Sequence, residues 1–262
     1  MQYLFNAWNK LSHRLKSANH VLLLCDYDGT LTPIVDRPEL AVLPHDTRKS
    51  LGRLARNRRY TVGIISGRAL ADIRSSVGVE GIIYAGNHGL EIDSFGSNFL
   101  EPVAEEMRPF FHILSQVLSA TLRGIKGVSV ENKGLSLSVH YRSIDDTDER
   151  VVKDAFNRVT DPLNVTGRIR VTEGKKVYEI RPPVDWDKGK AIAWLIANCK
   201  KTKGISGALP IYLGDDLTDE DGFRVIEKNN GISIFVGDES FQSMARYFLR
   251  SPEEVAEFLK ML

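Results

Sequence analysis

Cysteine is nearly missing from this chain: there are only two, Cys25 and Cys199, far apart and both in apolar surroundings. That excludes a disulfide framework as the source of stability. Cys25 directly precedes an aspartate, yet a lone thiol at the end of an apolar run reads as a small buried hydrophobe rather than a nucleophile. No apolar run approaches the roughly 20 residues that a membrane-spanning helix requires. Residues 1–19 contain neither a leader-type apolar core nor a small-residue cleavage pattern, so the expected location is cytoplasmic. Charge of one sign is not in excess either. A formal net charge of +1 supplies no field for nucleic acid or an anionic membrane, and neither is expected as a partner. Internal repeats and low-complexity tracts are also lacking. What remains is ordinary globular material: a hydrophobic share of 42% and a charged share of 26% suffice for a packed core. The 262 residues hold one large domain or two modest ones.

The chain is organised around the run from Val21 through Leu24 into Cys25-Asp26-Tyr27-Asp28-Gly29-Thr30-Leu31-Thr32. A short apolar run bounded by turn residues predicts a strand buried on both faces. Sites in parallel sheets form outside the carboxyl ends of such strands. Asp26 and Asp28 therefore bring two acids into one small space, where like charges repel unless a cation joins them.

Before this run, Leu4, Trp8, Leu11 and Leu15 recur at helical spacing with Lys10, Arg14 and Lys16 between them. A helix packed on the domain is the expectation, ahead of a membrane-surface helix. After it, Pro33 and Pro38 mark a loop, and a helix capped by Asp46 or Thr47 carries Leu51, Leu54 and Ala55. Strands follow at 61–65 and 81–85, separated by a helix over 69–77. This alternation predicts a doubly wound parallel sheet, an α/β fold. The pattern changes near Pro102. One long helix over 103–122, strands at 128–131 and 135–141, a helix over 146–159 and strands at 168–171 and 176–180 predict an α+β module of order αββαββ. Alternation then resumes: helix 188–198, strand 209–213, a helix around 223–227, strand 231–236 and a closing helix 252–261. The expected organisation is a core of residues 1–101 and 184–262 interrupted by an inserted cap over 102–183.

Four clusters at strand or helix ends share one chemistry. They are Asp26 with Asp28, Ser66, Lys188, and Asp215 with Asp216 and Asp219. An oxygen-rich, histidine-poor set suits Mg²⁺, which keeps waters and takes phosphate oxygens beside one or two carboxylates. A hydroxyl and an ammonium next to it suit a phosphoryl group. One carboxylate can attack phosphorus while a second serves as acid and then base.

The same residues carry a resemblance. Asp26-Tyr27-Asp28-Gly29-Thr30, Ser66, Lys188-Gly189-Lys190-Ala191 and Gly214-Asp215-Asp216 are similar, in order, to the four motifs of the haloacid dehalogenase-like (HAD) phosphatases. The resemblance implies Asp26 as nucleophile, Asp28 as general acid/base, and Ser66 and Lys188 on the phosphoryl group. It implies Mg²⁺ on Asp26, the backbone carbonyl of Asp28, and Asp215, with Asp216 and Asp219 in the metal's surroundings. For Asp216, Asp219 and Asp221 a capping role in the next helix is the competing reading. Arg68, next to Gly67, either reaches substrate or pairs on the surface.

A narrower resemblance, to trehalose-6-phosphate phosphatases, extends over nearly the whole chain from Val21. Its residues are Asp26 through Ile34, Ile65-Ser66-Gly67-Arg68, Ala85 through Glu91, Ser136 through Arg142, Lys176 through Pro182 and Gly214 through Asp221. It implies that Glu131, Lys133 and Glu179 bind sugar hydroxyls, and that Gly67, Arg68, Asn87, His88, His140 and Arg142 lie with the substrate. Glu131 and Lys133 as solvated hairpin residues, and His88 as a structural histidine, are the alternatives. The implied activity is hydrolysis of trehalose 6-phosphate, with a trehalose-6-phosphate synthase as functional partner and a monomer as the expected state. Another phosphorylated glycoside (a glucosyl- or mannosyl-glycerate phosphate, or sucrose phosphate) is the rival substrate, and a sugar-phosphate-binding module without catalysis the rival class.

Overall fold

The computed structural model describes residues 1–35, 37–94, 97–174, 176–203 and 207–262. The chain forms two compact units, Met1–Phe99 with Trp186–Leu262, and Leu100–Asp185.

In the first unit the elements are β1 (Gln2–Tyr3), α1 (Trp8–Ser17), β2 (Val21–Cys25), α2 (His45–Arg56), β3 (Tyr60–Ile65), α3 (Leu70–Val77), β4 (Ile83–Gly86), β5 (Glu91–Asp93) and β6 (Phe99–Leu100). The inserted unit contributes α4 (Pro102–Glu106), α5 (Arg108–Leu122), β7 (Ser129–Asn132), β8 (Leu137–His140), α6 (Glu149–Val165), β9 (Arg170–Gly174) and β10 (Val177–Arg181). The first unit is completed by α7 (Lys188–Lys203), β11 (Leu209–Gly214), α8 (Glu220–Lys228), β12 (Ile232–Val236), β13 (Tyr247–Leu249) and α9 (Pro252–Met261).

The nine-stranded core sheet runs β1-β13-β12-β11-β2-β3-β4-β5-β6. Pairs from β1 to β4 along this order are parallel, and β5 joins β4 antiparallel. The chain steps from β2 outward through β3 to β4, then returns on the other side of β2 through β11. The point between β2 and β11 is thus the topological switch, where α/β sheets open a crevice. Every residue of β2 is buried, and the strand's two-residue period divides them between faces. Val21, Leu23 and Cys25 join Leu11, Leu51, Ile73 and Phe258 in one apolar layer. Leu22 and Leu24 join Ile192, Leu195, Phe223 and Ile226 in the other. Helices on both faces explain why the strand reads as an unbroken apolar run.

Several local expectations are corrected. The second helix starts at His45 after Pro44, so Asp46 lies in its first turn, where it accepts a bond from Lys260 Nζ at 2.7 Å, and Thr47 is buried instead of capping. The helix expected over 103–122 is broken at Met107, because Pro109 cannot donate into a preceding turn and opens a new helix. Conversely, α6 runs on through Pro162 and ends only at Val165, within one turn of it. β1, β5, β6 and β13 span only two or three residues each, too short to show a period. The N-terminal helix packs into the core through Leu11 and Leu15, and Arg59 donates to the carbonyls of Leu15 and Ala18 at 3.1 and 2.9 Å at its end. Among the described residues no helix is long and apolar enough to cross a membrane.

The inserted unit is an antiparallel sheet of order β7-β8-β10-β9. One face, with Leu137, Val139, Tyr178 and Ile180, packs on Phe111, Leu118, Val152 and Phe156 from α5 and α6. Register aligns Glu131, Ser138 and Glu179 in one row across β7, β8 and β10. Alternation therefore places them, with His140, on the face away from the helices.

Candidate active site

At the end of β2 the chain turns sharply. The Asp26 N–H donates to Leu213 O at 2.8 Å, tying this turn to β11. Gly29 N and Leu31 N donate to Thr32 O and Tyr27 O at 2.8 and 2.9 Å, and Gly29 takes φ +84°, which a side chain resists. A Cβ on Gly29 would stand 2.1 Å from Asp215 Oδ2, so the Asp215 carboxylate lies directly against this backbone. The sequence-predicted acids Asp26, Asp215 and Asp219 come together, one oxygen from each lying within 4.8 Å of the others.

Lys188, the first residue of α7, reaches into this group. Its Nζ lies 3.0 Å from Asp26 Oδ1 and 2.7 Å from Asp219 Oδ1. A cation at a helix N-terminus opposes the helix dipole, so the two carboxylates must outweigh that cost. Burial alone would lower the Lys188 pKa, but Asp219 and then Asp26 raise it above the ordinary lysine value. Burial pushes the Asp26 carboxyl well above the usual carboxylate range; Lys188 pulls it back, while Asp219, Asp215 and Asp28 push it further up.

Asp219 is fully buried and spoken for. Oδ1 accepts from Lys188 and from the Tyr212 hydroxyl, and Oδ2 accepts the backbone N–H groups of Asp215 and Asp216 at 3.0 Å. Its approach is possible because Gly214 has no Cβ, which would meet Asp219 Cγ at 2.3 Å. Asp219 thus shapes the loop that presents Asp215, while Asp216 accepts from Leu217 N at 2.6 Å as an N-cap. The capping alternative therefore holds for Asp216 and Asp219 together, which form a reciprocal capping box, while Asp221 pairs with Arg224 at 2.7 Å on the surface.

Three carboxylates gathered beside Lys188, two of them paired with it, form an all-oxygen set for a hard divalent cation. Asp26 and Asp215 fit as direct ligands, with the Asp28 carbonyl in the same turn. Asp219 already accepts four hydrogens, so its place is behind the ligands rather than among them.

Arg68, expected either to reach substrate or to pair on the surface, is engaged with protein groups. It is buried, and its donors go to protein: Nε and Nη2 to the two oxygens of Asp28 at 2.8 and 2.7 Å, Nη1 to Asp72 at 3.0 Å, and Nη2 also to Pro38 O at 2.7 Å. It binds Asp28 and also pairs with the exposed carboxylate of Asp72. Ser66, at the end of β3, accepts from Arg68 N at 3.2 Å and is almost wholly buried. Gly67 packs beneath the His88 ring, where a Cβ would meet Nε2 at 2.7 Å. Asn87 and His88, both at positive φ, clasp this turn from β4: Asn87 N donates to Arg68 O at 2.7 Å and His88 N to Ser66 O at 2.9 Å. Asn87 Nδ2 also donates to Glu91 at 2.8 Å. These contacts give Gly67, Asn87 and His88 a structural part in shaping the Ser66 turn.

In the inserted unit Glu131 pairs with His140 at 2.9 Å, and Glu179 lies 3.5 Å from Lys133 and 2.6 Å from Arg181. Four of the expected sugar-binding residues thus form two side-chain pairs, Glu131 with His140 and Lys133 with Glu179, with Arg142 half-buried just beyond β8. Lys133 sits in the β7–β8 turn, closed by Gly134 N donating to Asn132 Oδ1 at 2.8 Å. Tyr212 and Asp72 escaped the sequence-based reading, which names Glu91 without its role as partner of Asn87. Tyr212 alone left a signal, a hydroxyl in an otherwise apolar strand next to the acidic loop, which once buried must find an acceptor.

The chain matches the family described as Trehalose-phosphatase over residues 24–253. It is 36% identical over 252 residues to a protein of Arabidopsis thaliana named probable trehalose-phosphate phosphatase D, covering 92% of this chain and 67% of the relative. Its fold is similar to that of the C-terminal domain of C. albicans trehalose-6-phosphate phosphatase, with TM-score 0.82 and 24% identity over 97% of this chain and 95% of the other. Aspergillus fumigatus trehalose-6-phosphate phosphatase superposes with TM-score 0.63 at 29% identity, over 97% and 96% of the two chains. With its acids and lysine gathered at the switch point of an α/β sheet, the chain belongs to the trehalose-phosphatase family.

Proposed function

We propose that this phosphoric monoester hydrolase converts trehalose 6-phosphate and water to trehalose and phosphate, through an aspartyl-phosphate on Asp26 and with Mg²⁺ as cofactor. The observation that carries the reading is the buried Asp26–Lys188–Asp219 array with Asp215 beside it. The family match and the relatives' names support the substrate.

In the first step an Asp26 oxygen bonds to phosphorus as the bond from phosphorus to the sugar oxygen breaks. The Asp28 carboxyl gives its proton to that departing oxygen. In the second, the Asp28 carboxylate takes a proton from water, whose oxygen bonds to phosphorus. The bond to Asp26 breaks, releasing phosphate and restoring both acids. Lys188 holds Asp26 in place and faces the phosphoryl oxygens with Ser66. Asp26, the Asp28 carbonyl and Asp215 would hold the cation, which when bound neutralises phosphoryl charge and keeps the carboxylates from repelling one another. Glu131, Lys133, His140, Arg142 and Glu179, on the inserted cap, supply charged partners for sugar hydroxyls.

The test is phosphate release from trehalose 6-phosphate, sucrose 6-phosphate, glucosylglycerate phosphate and glucose 6-phosphate in Mg²⁺, for the native protein and Asp26→Asn. Preference for trehalose 6-phosphate, lost with the variant and on chelation, is expected. Turnover no better than with glucose 6-phosphate would refute the substrate, and an active Asp26→Asn the nucleophile.

A further inference from the structure

Arg68 is a large charged side chain with only 6% of its surface exposed, and the reaction as described above gives it no part. It grips Asp28 through two parallel bonds, the planar fork that only a guanidinium offers a carboxylate. The guanidinium is itself fixed from three more directions. Asp72, in the first turn of the following helix, takes Nη1; the Pro38 carbonyl shares Nη2; and the Tyr27 ring lies 5.0 Å beneath it. Asp28, by contrast, has a side chain 41% exposed and stands in a turn where its short side chain has three staggered rotamers. A buried, multiply bonded partner therefore decides where a partly exposed acid points.

From this geometry we infer that Arg68 is a positioning residue for the proton transfer: it holds the Asp28 carboxyl in one orientation toward the leaving oxygen. A carboxylate has about four acceptor positions, two on each oxygen. Arg68 takes one on each, which leaves a second on each for the travelling proton. Arg68 therefore fixes direction without occupying the position the chemistry needs. A lysine would supply a single contact and leave the carboxyl free to swing.

This inference rests on Asp28 being the acid, and the test separates the two claims. Esters with good leaving groups need little protonation, whereas alkyl phosphates need it fully. The parameter kcat/KM, which covers steps up to leaving-group departure, is measured for p-nitrophenyl, phenyl and alkyl phosphates and for trehalose 6-phosphate. The proteins are the native enzyme, Asp28→Asn, Arg68→Ala, Arg68→Lys and Asp72→Asn.

General acid catalysis contributes about 10²–10⁴-fold, and a misplacement of about 1 Å costs about 10²-fold. Arg68→Ala is accordingly expected to lose about 100-fold on alkyl phosphates but only a few-fold on p-nitrophenyl phosphate. Its dependence on leaving-group pKa steepens toward that of Asp28→Asn, and Arg68→Lys restores only part of the loss. A purely structural role, or a contact with the phosphoryl group, lowers every ester alike; that result, with Asp28→Asn still steep, overturns the inference. A shallow Asp28→Asn dependence rejects the acid itself, and the inference with it. If Arg68→Ala does not fold, Arg68→Lys and Asp72→Asn, which loosens the guanidinium from outside the site, must each show the steepening.

Discussion

Replacing Tyr212 by phenylalanine removes one oxygen from the most deeply buried part of the site. Tyr212 and Asp219 are both fully buried, and their hydroxyl–carboxylate bond is one of four that the carboxylate accepts. A hydrogen bond to a charged group contributes about 1.5–3 kcal/mol, against about 0.5–1.5 for a neutral one. The ring, packed 5.6 Å from Phe223, is retained, so no large cavity opens. Burying a phenyl ring also avoids desolvating a hydroxyl, which offsets part of the loss and puts the expected cost near 2 kcal/mol. The assay is urea unfolding followed by tryptophan fluorescence, because Trp8, Trp186 and Trp194 all lie in the core unit. At a slope of about 2 kcal/mol per molar the midpoint falls by about 1 M with the slope unchanged. Tyr27→Phe is the control, since the buried Tyr27 hydroxyl donates to a neutral carbonyl, Ala41 O, at 2.8 Å. If Tyr212→Phe costs no more than Tyr27→Phe, the charged network is not the stabilising feature described here.

Gly29→Ala forces a side chain into a left-handed turn, at about 1–2 kcal/mol, and against Asp215; calorimetric titration should show Mg²⁺ binding at least about tenfold weaker, and native affinity would contradict the ligand assignment. Glu131→Ala combined with Glu179→Ala is expected to lower kcat/KM for trehalose 6-phosphate at least about tenfold while p-nitrophenyl phosphate changes only a few-fold, since charged hydrogen bonds to hydroxyls are lost; equal losses would remove the sugar role. Burial, with Asp26 next to it, pushes the Cys25 thiol far up, so its thiolate is not available even in mildly alkaline solution. With Cys199 also buried, the native protein should react with neither thiol reagent nor alkylator over minutes, and both thiols should appear on denaturation; a fast native thiol would contradict the packing of β2.

The central strands, the alternation around them and the paired acids at Asp26 and Asp28 were legible in the sequence alone. A strand buried on both faces must be apolar throughout, and two carboxylates after it are too costly to be incidental. Lys188, Asp215 and the inserted αββαββ pattern were legible for the same reason, being local residues at the ends of local elements. Only the tertiary structure decided what each polar group points at. It assigned Arg68 to Asp28, gave Asp219 four donors and joined Asp216 and Asp219 in a capping box. It also ended a helix at Met107 and carried another through Pro162. Spacing along a chain says that a charge sits at a strand end. Partners drawn from β11, α7 and the turn after β3 meet there only once the sheet has closed, and the choice among them is made by burial, which leaves no donor or acceptor unpaired without cost.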